Sequence, residues 1–263
     1  MDLGLKNRVA IVAASSQGLG KAVALGLAKE GTKVAMCART QATLNQAADE
    51  IHCATGSEVL ARALDVTVHD DVRRFVAETV ERFGRLDICV ANAGGPPSKS
   101  FAETTLADWR AAATLNLMST VYFAKETLPL MQARQWGRFI AITSVTVKQP
   151  VDGLILSNSI RAGVSGLIKT LSNEYGPHNV LVNSVCPGYT ATVRLVELGE
   201  TLARKEGVTL KEIEQRWTEH APLRRLGQPE EFANLVVFLA SERASYITGA
   251  SIAVDGGFVK GIY

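Results

Sequence analysis

The chain has 263 residues, 47% of them hydrophobic and 21% charged, which is typical of a globular protein and excludes collagen-like, disordered and disulfide-stapled classes. Its 28 basic and 26 acidic side chains leave a formal charge of +2, so the charge balance favours neither a nucleic acid nor a membrane partner. Apolar runs are too short for a spanning helix or a signal peptide, and we expect a cytoplasmic protein. The four cysteines form no Cys-x-x-Cys pair, and no metal site is expected.

Short apolar runs rich in Val, Ile and Ala alternate with longer amphipathic stretches. Because these runs lack strict polar alternation, both faces of each strand should be covered by helices, as in a parallel sheet. The pattern predicts one α/β domain over residues 1–263, with a doubly wound sheet of about seven strands. The predicted strands are residues 9–13, 34–38, 59–63, 88–91, 139–142, 180–185 and 251–254.

Helical spacing of apolar residues predicts the intervening helices. The first two end before Gly31 and Gly56, and a third ends before Gly84, since glycine is common just after the end of a helix. Thr105 and Asp108 have the spacing of a capping box, which opens a long helix to about residue 131. The predicted helices cover residues 18–30, 41–54, 72–83, 105–131 and 154–175.

Residues 193–227 interrupt the alternation of strands and helices, with apolar residues set among several Lys and Arg side chains. We expect short helices there, lying over the crevice where open α/β sheets bind ligands. The segment is either a substrate lid or an additional packing layer.

The first predicted strand runs into residues 13–20, which read Ala-Ala-Ser-Ser-Gln-Gly-Leu-Gly, and then into a helix. A glycine-containing turn at this point places backbone N–H groups and the positive end of a helix together. This arrangement predicts a phosphate site, although such a turn alone is also found in simple strand-to-helix connections.

The turn is the first of several ordered landmarks that together cover nearly the whole chain. The others include Asn92-Ala93-Gly94 after the fourth strand, Asn116 in a helix, Thr143-Ser144 after the fifth strand and Pro187-Gly188 after the sixth. With them the chain resembles the short-chain dehydrogenase/reductases, in particular the 3-oxoacyl-acyl-carrier-protein reductases. The resemblance implies a Rossmann-type fold, a nicotinamide cofactor and a small carbonyl or alcohol substrate.

The resemblance also implies which residues hold the cofactor. Asp65 would accept a hydrogen bond from the adenine amino group, or alternatively cap the following helix. Ala14 stands where the family has the glycine of the tight turn, so its methyl group must fit close to the cofactor. Thr192 matches a hydroxyl that contacts the nicotinamide carboxamide. The complete implied set is Ala14, Ser16, Gln17, Gly18, Leu19, Gly20, Arg39, Asp65, Val66, Asn92, Ala93, Gly94, Arg161, Pro187, Gly188 and Thr192.

Arg39 directly follows the second strand, where relatives that prefer NAD carry an acidic side chain. A guanidinium at this point can hold a 2′-phosphate by paired charge-assisted hydrogen bonds, which favours NADP(H) over NAD(H). The alternative is a solvated surface arginine.

The family's catalytic Tyr and Lys, four residues apart, are both replaced here. Counting back from Ala162-Gly163 places Ser157 at the Tyr position and Arg161 at the Lys position, on one helical face. A serine hydroxyl is a far weaker acid than a phenol and is several ångströms shorter, whereas Arg161 keeps a charge that could hold the ribose. The proposed catalytic set is therefore Asn116, Ser144, Ser157, Arg161 and Tyr189. Asn116 would hold a water or make a structural bond, Ser144 would hold the substrate oxygen, and Ser157 with water, or Tyr189, would handle the proton.

Two functions follow. The first is hydride transfer between NADP(H) and a carbonyl or hydroxyl group by a divergent reductase, and the second is a cofactor-binding sensor or structural partner that has lost catalysis. A dehalogenase-like reading fits poorly, because those relatives keep the tyrosine and lose the glycine turn. The helices at 105–131 and 154–175 are apolar over much of their circumference, which predicts a homodimer or homotetramer.

Overall fold

The computed structural model describes residues 1–262, and within them a seven-stranded, wholly parallel sheet forms the centre of the fold. The strand order is β3-β2-β1-β4-β5-β6-β7, so the order reverses between β1 and β4. The strands are β1 (Val9–Val12), β2 (Lys33–Ala38), β3 (Val59–Ala63), β4 (Ile88–Ala91), β5 (Gly137–Ile142), β6 (Val180–Pro187) and β7 (Ser251–Val254). All seven predicted strands are confirmed, with ends that differ by up to two residues.

Helices cover both faces of the sheet, as the apolar strand pattern predicts. They are α1 (Gly18–Lys29), α2 (Gln41–Thr55), α3 (His69–Phe83), α4 (Leu106–Ala112), α5 (Ser119–Ala133), α6 (Ile155–Tyr175), α7 (Val193–Glu206), α8 (Leu210–Glu219) and α9 (Pro229–Ala240). None of the helices in residues 1–262 has the length and hydropathy needed to cross a membrane.

Alternation along β1 shows how the two layers divide. Ala10 and Val12 pack with α1, α2 and α9, whereas Val9 and Ile11 pack with α3, α5 and α6. Because successive side chains of a strand point to opposite faces, each strand contributes to two separate cores. The carboxyl ends of the strands remain free to form a site.

The predicted long helix at 105–131 is observed as three joined pieces. Thr105 caps α4 and forms the expected capping box with Asp108. A π-helical segment, Ala113–Met118, then connects α4 to α5. Single π turns inside α-helices occur frequently at functional sites, and this one carries Asn116.

Candidate active site

The glycine turn between β1 and α1 has the backbone geometry of a ligand cradle. Ala14 has a positive φ of 48° and Gly18 one of 56°, so both residues of the turn adopt the left-handed conformation, although Ala14 carries a Cβ. A Cβ on Gly20 would lie 2.3 Å from the Ala14 carbonyl oxygen, which leaves room only for glycine there. Gln17, the N-cap residue of α1, makes no side-chain capping bond. The first amides of α1 are therefore not capped by its side chain, and they fit an anionic ligand group.

Asn92 ties the turn to the end of β4. Its Nδ2 donates to the carbonyl oxygen of Ala13 at 3.2 Å and to that of Ala14 at 3.4 Å. A Cβ on Gly94 would have no heavy atom within 4 Å, so the backbone at Gly94 faces open space. Asn92 holds the two sides of the crevice together, while Ala93 and Gly94 leave space for a ligand.

Arg39 and Asp65 lie after the two outer strands β2 and β3. Arg39 is exposed and makes no hydrogen bond or ion pair with any of residues 1–262. The Asp65 Oδ1 accepts from the Thr67 backbone N–H at 2.9 Å and from its hydroxyl at 2.8 Å. The N-cap residue of α3 is Val68, three residues after Asp65, so the alternative in which Asp65 caps this helix is wrong. Val66, beside Asp65, is buried against the α3 core.

Asn116 is nearly fully buried in the π-helical segment, and its amide is only half satisfied. The Nδ2 donates to the Gly94 carbonyl oxygen at 2.9 Å, whereas the Oδ1 has no partner among the described residues. A buried unsatisfied acceptor calls for a donor from water or ligand. Both roles considered for Asn116 are compatible with this geometry. The Nδ2 makes a structural hydrogen bond, and the Oδ1 is available to accept one from a water molecule.

Thr146 connects Ser144 and Ser157 beneath the crevice, through its backbone N–H on one side and its hydroxyl on the other. The Ser144 Oγ accepts from the Thr146 backbone N–H at 3.2 Å, in the turn after β5. The Thr146 Oγ1 and Ser157 Oγ are 3.0 Å apart, and both residues are buried. Sequence reasoning missed Thr146, for which the only signal was its position two residues after Ser144.

Arg161 lies on the same buried face of α6 as Ser157, as the spacing predicts. Its Nη1 donates to the carbonyl oxygens of Ile142 at 3.1 Å and Thr143 at 2.9 Å, and its Nη2 lies 3.5 Å from the Gly94 carbonyl oxygen. Burial lowers the pKa of Arg161 to about 10, with the neighbouring Cys186 thiol acting in the opposite direction. The guanidinium thus joins the carboxyl ends of β4 and β5.

Tyr189 follows Pro187-Gly188 at the end of β6 and lies among aromatic side chains. Its ring stacks on Trp217 with 5.0 Å between centroids and meets Phe258 edge to face at 5.3 Å. Burial raises the pKa of the Tyr189 phenol. A Cβ on Gly188 would lie 2.7 Å from Asp255 Cα, so β6 can approach the loop after β7 only with glycine here.

The expected short helices at 193–227 are present as α7 and α8. The Thr192 Oγ1 accepts from the Leu195 backbone N–H at 3.2 Å and so caps α7. The Thr192 methyl group is also 3.5 Å from the position of a Cβ on Gly18. The start of α7 therefore rests on the glycine turn, across the crevice from β4.

Known proteins are similar to this chain over nearly its whole length. The family model described as Enoyl-(Acyl carrier protein) reductase matches residues 13–259. The 3-oxoacyl-(acyl-carrier-protein) reductase FabG of Aquifex aeolicus (strain VF5) is 34% identical over 257 residues, covering 98% of this chain and 99% of the relative. The NADPH-dependent reductase BacG of Bacillus subtilis (strain 168) is 30% identical over 260 residues, covering 98% and 100%.

A solved structure agrees equally well. L-sorbose reductase from Gluconobacter frateurii, complexed with NADPH and L-sorbose, superposes with a TM-score of 0.94 at 35% identity, covering 100% of both chains. These matches extend over the glycine turn, the strand ends and residues 193–227 described above. The chain belongs to the short-chain dehydrogenase/reductase family of oxidoreductases.

Proposed function

We propose that this chain transfers hydride between NADP(H) and a small carbonyl or hydroxyl substrate, in the manner of 3-oxoacyl-acyl-carrier-protein reductases. The observation that carries the cofactor assignment is Arg39, an exposed and unpaired guanidinium directly after β2. At the second strand of a Rossmann-type sheet, a cation suits a 2′-phosphate, and a carboxylate suits the free ribose hydroxyls of NAD. The NADPH named for BacG and for L-sorbose reductase supports the same choice.

The cofactor test compares NADPH and NADH on the wild type and on Arg39→Ala. Loss of charge-assisted bonds to a phosphate is worth about 1.5–3 kcal/mol, which is roughly a 10- to 100-fold weaker Kd for NADPH. NADH has no 2′-phosphate, so its Kd should not change and serves as the internal control. Equal losses for both nucleotides, or no loss for either, would contradict the assignment.

The residues beneath the crevice divide the remaining work. When bound, the nicotinamide supplies or accepts the hydride at the substrate carbon. Ser144 holds the substrate oxygen, and the Ser157 hydroxyl, linked to Thr146, passes a proton between water and that oxygen. Tyr189 is the weaker choice for this proton because its phenol is packed against Trp217 and its pKa is raised by burial. Asn116 Oδ1 would hold the water that replenishes Ser157.

A catalytically impaired sensor is the second proposal, and the Arg161 contacts favour it. The Arg161 Nη1, which could hold a ribose, donates instead to the Ile142 and Thr143 carbonyl oxygens at the end of β5, and Ser157 cannot replace the acidity of a phenol. NADPH binding measured by calorimetry, combined with NADPH oxidation over a panel of ketones and 3-oxoacyl thioesters, separates the two. Turnover supports the reductase, whereas binding without turnover supports the sensor.

The Ser157→Tyr, Arg161→Lys double variant also distinguishes the reductase from the sensor, by restoring the family's Tyr and Lys. If only the proton relay is altered, the double variant should gain turnover while either single variant does not. Matched NADPH affinities for the wild type and the double variant are the control, because they exclude a change in cofactor binding. A double variant that binds NADPH and still turns over no better than the wild type would refute the proposed roles of positions 157 and 161.

The segment 193–227 acts in this proposal as a substrate lid. Two side-chain contacts connect α7 to the segment after β4. Lys205 Nζ forms an ion pair with Glu103 Oε1 at 2.8 Å, and Arg194 Nη2 donates to the Pro96 carbonyl oxygen at 3.3 Å. The Lys205–Glu103 pair is exposed and the Arg194–Pro96 bond is partly buried and long, so both are weak enough to open for substrate exchange.

We also propose that the chain assembles as a homodimer or homotetramer through α6. The outward positions Ala162, Gly163 and Gly166 of this helix are exposed and have at most a methyl side chain, which allows another helix to approach closely. A self-complementary surface of this kind fits a two-fold axis between copies of the chain.

A further inference from the structure

The proposed cofactor site lacks a cation of its own at the turn that would receive the pyrophosphate. Residues 13–20 contain no Lys or Arg. Lys21, one turn further along α1, forms an ion pair with Glu50 of α2. The amides of α1 would therefore meet a doubly charged group with backbone dipoles alone.

Arg194 is the side chain that the lid brings to this place. It lies in the first turn of α7, two residues after Thr192, whose methyl group rests against Gly18. A Cβ on Gly95 would lie 3.9 Å from the Arg194 Nη2, so the guanidinium lies over the loop that follows β4. Arg194 thus stands above the crevice between the glycine turn on one side and the β4 loop on the other.

The present contacts of Arg194 leave most of its hydrogen-bonding capacity unused. The one hydrogen bond that its side chain makes within residues 1–262 is to the Pro96 carbonyl oxygen at 3.3 Å, and its ion pair with Glu197 is long, at 3.9 Å. The side chain is 53% exposed. A guanidinium carries five N–H donors in a fork that matches two phosphate oxygens, so four donors are not used by Pro96.

We propose that Arg194 binds the pyrophosphate of the cofactor from the lid side, opposite the amides of α1. This inference rests on the proposed NADP(H) function and adds a binding residue to it. A diphosphate in the crevice competes with the Pro96 carbonyl for the guanidinium, and it offers a charged acceptor where Pro96 offers a neutral one. Because Arg194 belongs to α7, cofactor binding would draw the lid closed.

The test measures Kd for NADPH, NADH and 2′-AMP on the wild type, Arg194→Ala, Arg194→Lys and Arg204→Ala. NADPH and NADH both contain the pyrophosphate, whereas 2′-AMP carries only the 2′-phosphate. We expect Arg194→Ala to weaken NADPH and NADH by the same factor, about tenfold, and to leave 2′-AMP unchanged. Arg194→Lys should recover part of the loss. Arg204 is the matched control, since it is exposed on the same helix and its side chain makes no hydrogen bond or ion pair within residues 1–262.

Each other outcome overturns the assignment in a recognisable way. Unchanged NADPH and NADH affinity in Arg194→Ala, or a loss equal to that of Arg204→Ala, removes Arg194 from the cofactor site. An unchanged Kd together with a higher KM for the carbonyl substrate would place Arg194 on the substrate instead. A wild type that binds neither dinucleotide would defeat the proposed function itself, a result that the first two outcomes cannot produce.

Discussion

Gly20 is the position in the glycine turn where a side chain is least tolerated. The Cβ of Gly20→Ala would lie 2.3 Å from the Ala14 carbonyl oxygen and 2.9 Å from Ser15 Cα, both backbone atoms. Real Cβ atoms essentially never come closer than 3.0 Å, so the turn must move by about 0.7 Å. Forced packing of this kind costs about 3 kcal/mol, and the better helix propensity of alanine returns about 1 kcal/mol. We expect Gly20→Ala to lower the free energy of unfolding by about 2 kcal/mol and to weaken NADPH binding.

Gly26→Ala in the same helix is the matched control. Its Cβ would meet a methyl group of the buried Val237 at 2.9 Å, only about 0.1 Å inside the same limit, so a much smaller movement accommodates it. The propensity gain is the same, so this variant should stay within about 1 kcal/mol of the wild type. Urea unfolding followed by circular dichroism, at one protein concentration, gives both values. Equal midpoints for the two variants would show that contact with backbone is not what restricts position 20.

Two further predictions concern the thiols and the assembly. At pH 8 a thiol reagent should label one cysteine rapidly, the exposed Cys53, and all four only after denaturation, because Cys37, Cys89 and Cys186 are buried and burial raises the pKa of Cys37 to about 12. Rapid labelling of more than one cysteine in the folded protein would contradict the buried positions. Gly166→Arg should lower the mass measured by light scattering to the 28.2 kDa of a single chain, if α6 is the interface. An oligomer that persists in this variant would exclude α6 as the interface.

The sheet was predictable because its signal is local. Each strand is a short apolar run, and runs such as Val59–Ala63 and Ile88–Ala91 have the predicted ends. Helix α3 begins at His69, three residues earlier than predicted, because its first turn contains Asp70 and Asp71, which suit a helix N-terminus and carry no apolar period. The π-helical segment at 113–118 was not predicted, since one additional residue in a turn hardly alters an apolar pattern.

The site was predictable only where one segment determines it. Ser157 and Arg161 share a buried face of α6, as their spacing of four residues requires. The aromatic contacts of Tyr189 with Trp217 and Phe258 join residues far apart in the chain, and no pattern within a segment indicates them. The position of Arg194 over Gly95 was likewise not predictable from one segment, because it depends on how α7 crosses the crevice.

The partners of Arg161 have a physical cause in the strand next to it. The Thr143 N–H donates to the Val185 carbonyl oxygen, so in a parallel ladder the Thr143 carbonyl would accept from the amide of residue 187. Residue 187 is proline and has no N–H, and the Arg161 Nη1 takes that place at 2.9 Å. With Ser157 in place of a phenol, as we propose, a cation at position 161 has no phenol pKa to lower, so its donors are free for the backbone. The two replacements then form one coupled change, which is why neither single reversal should restore the proton relay.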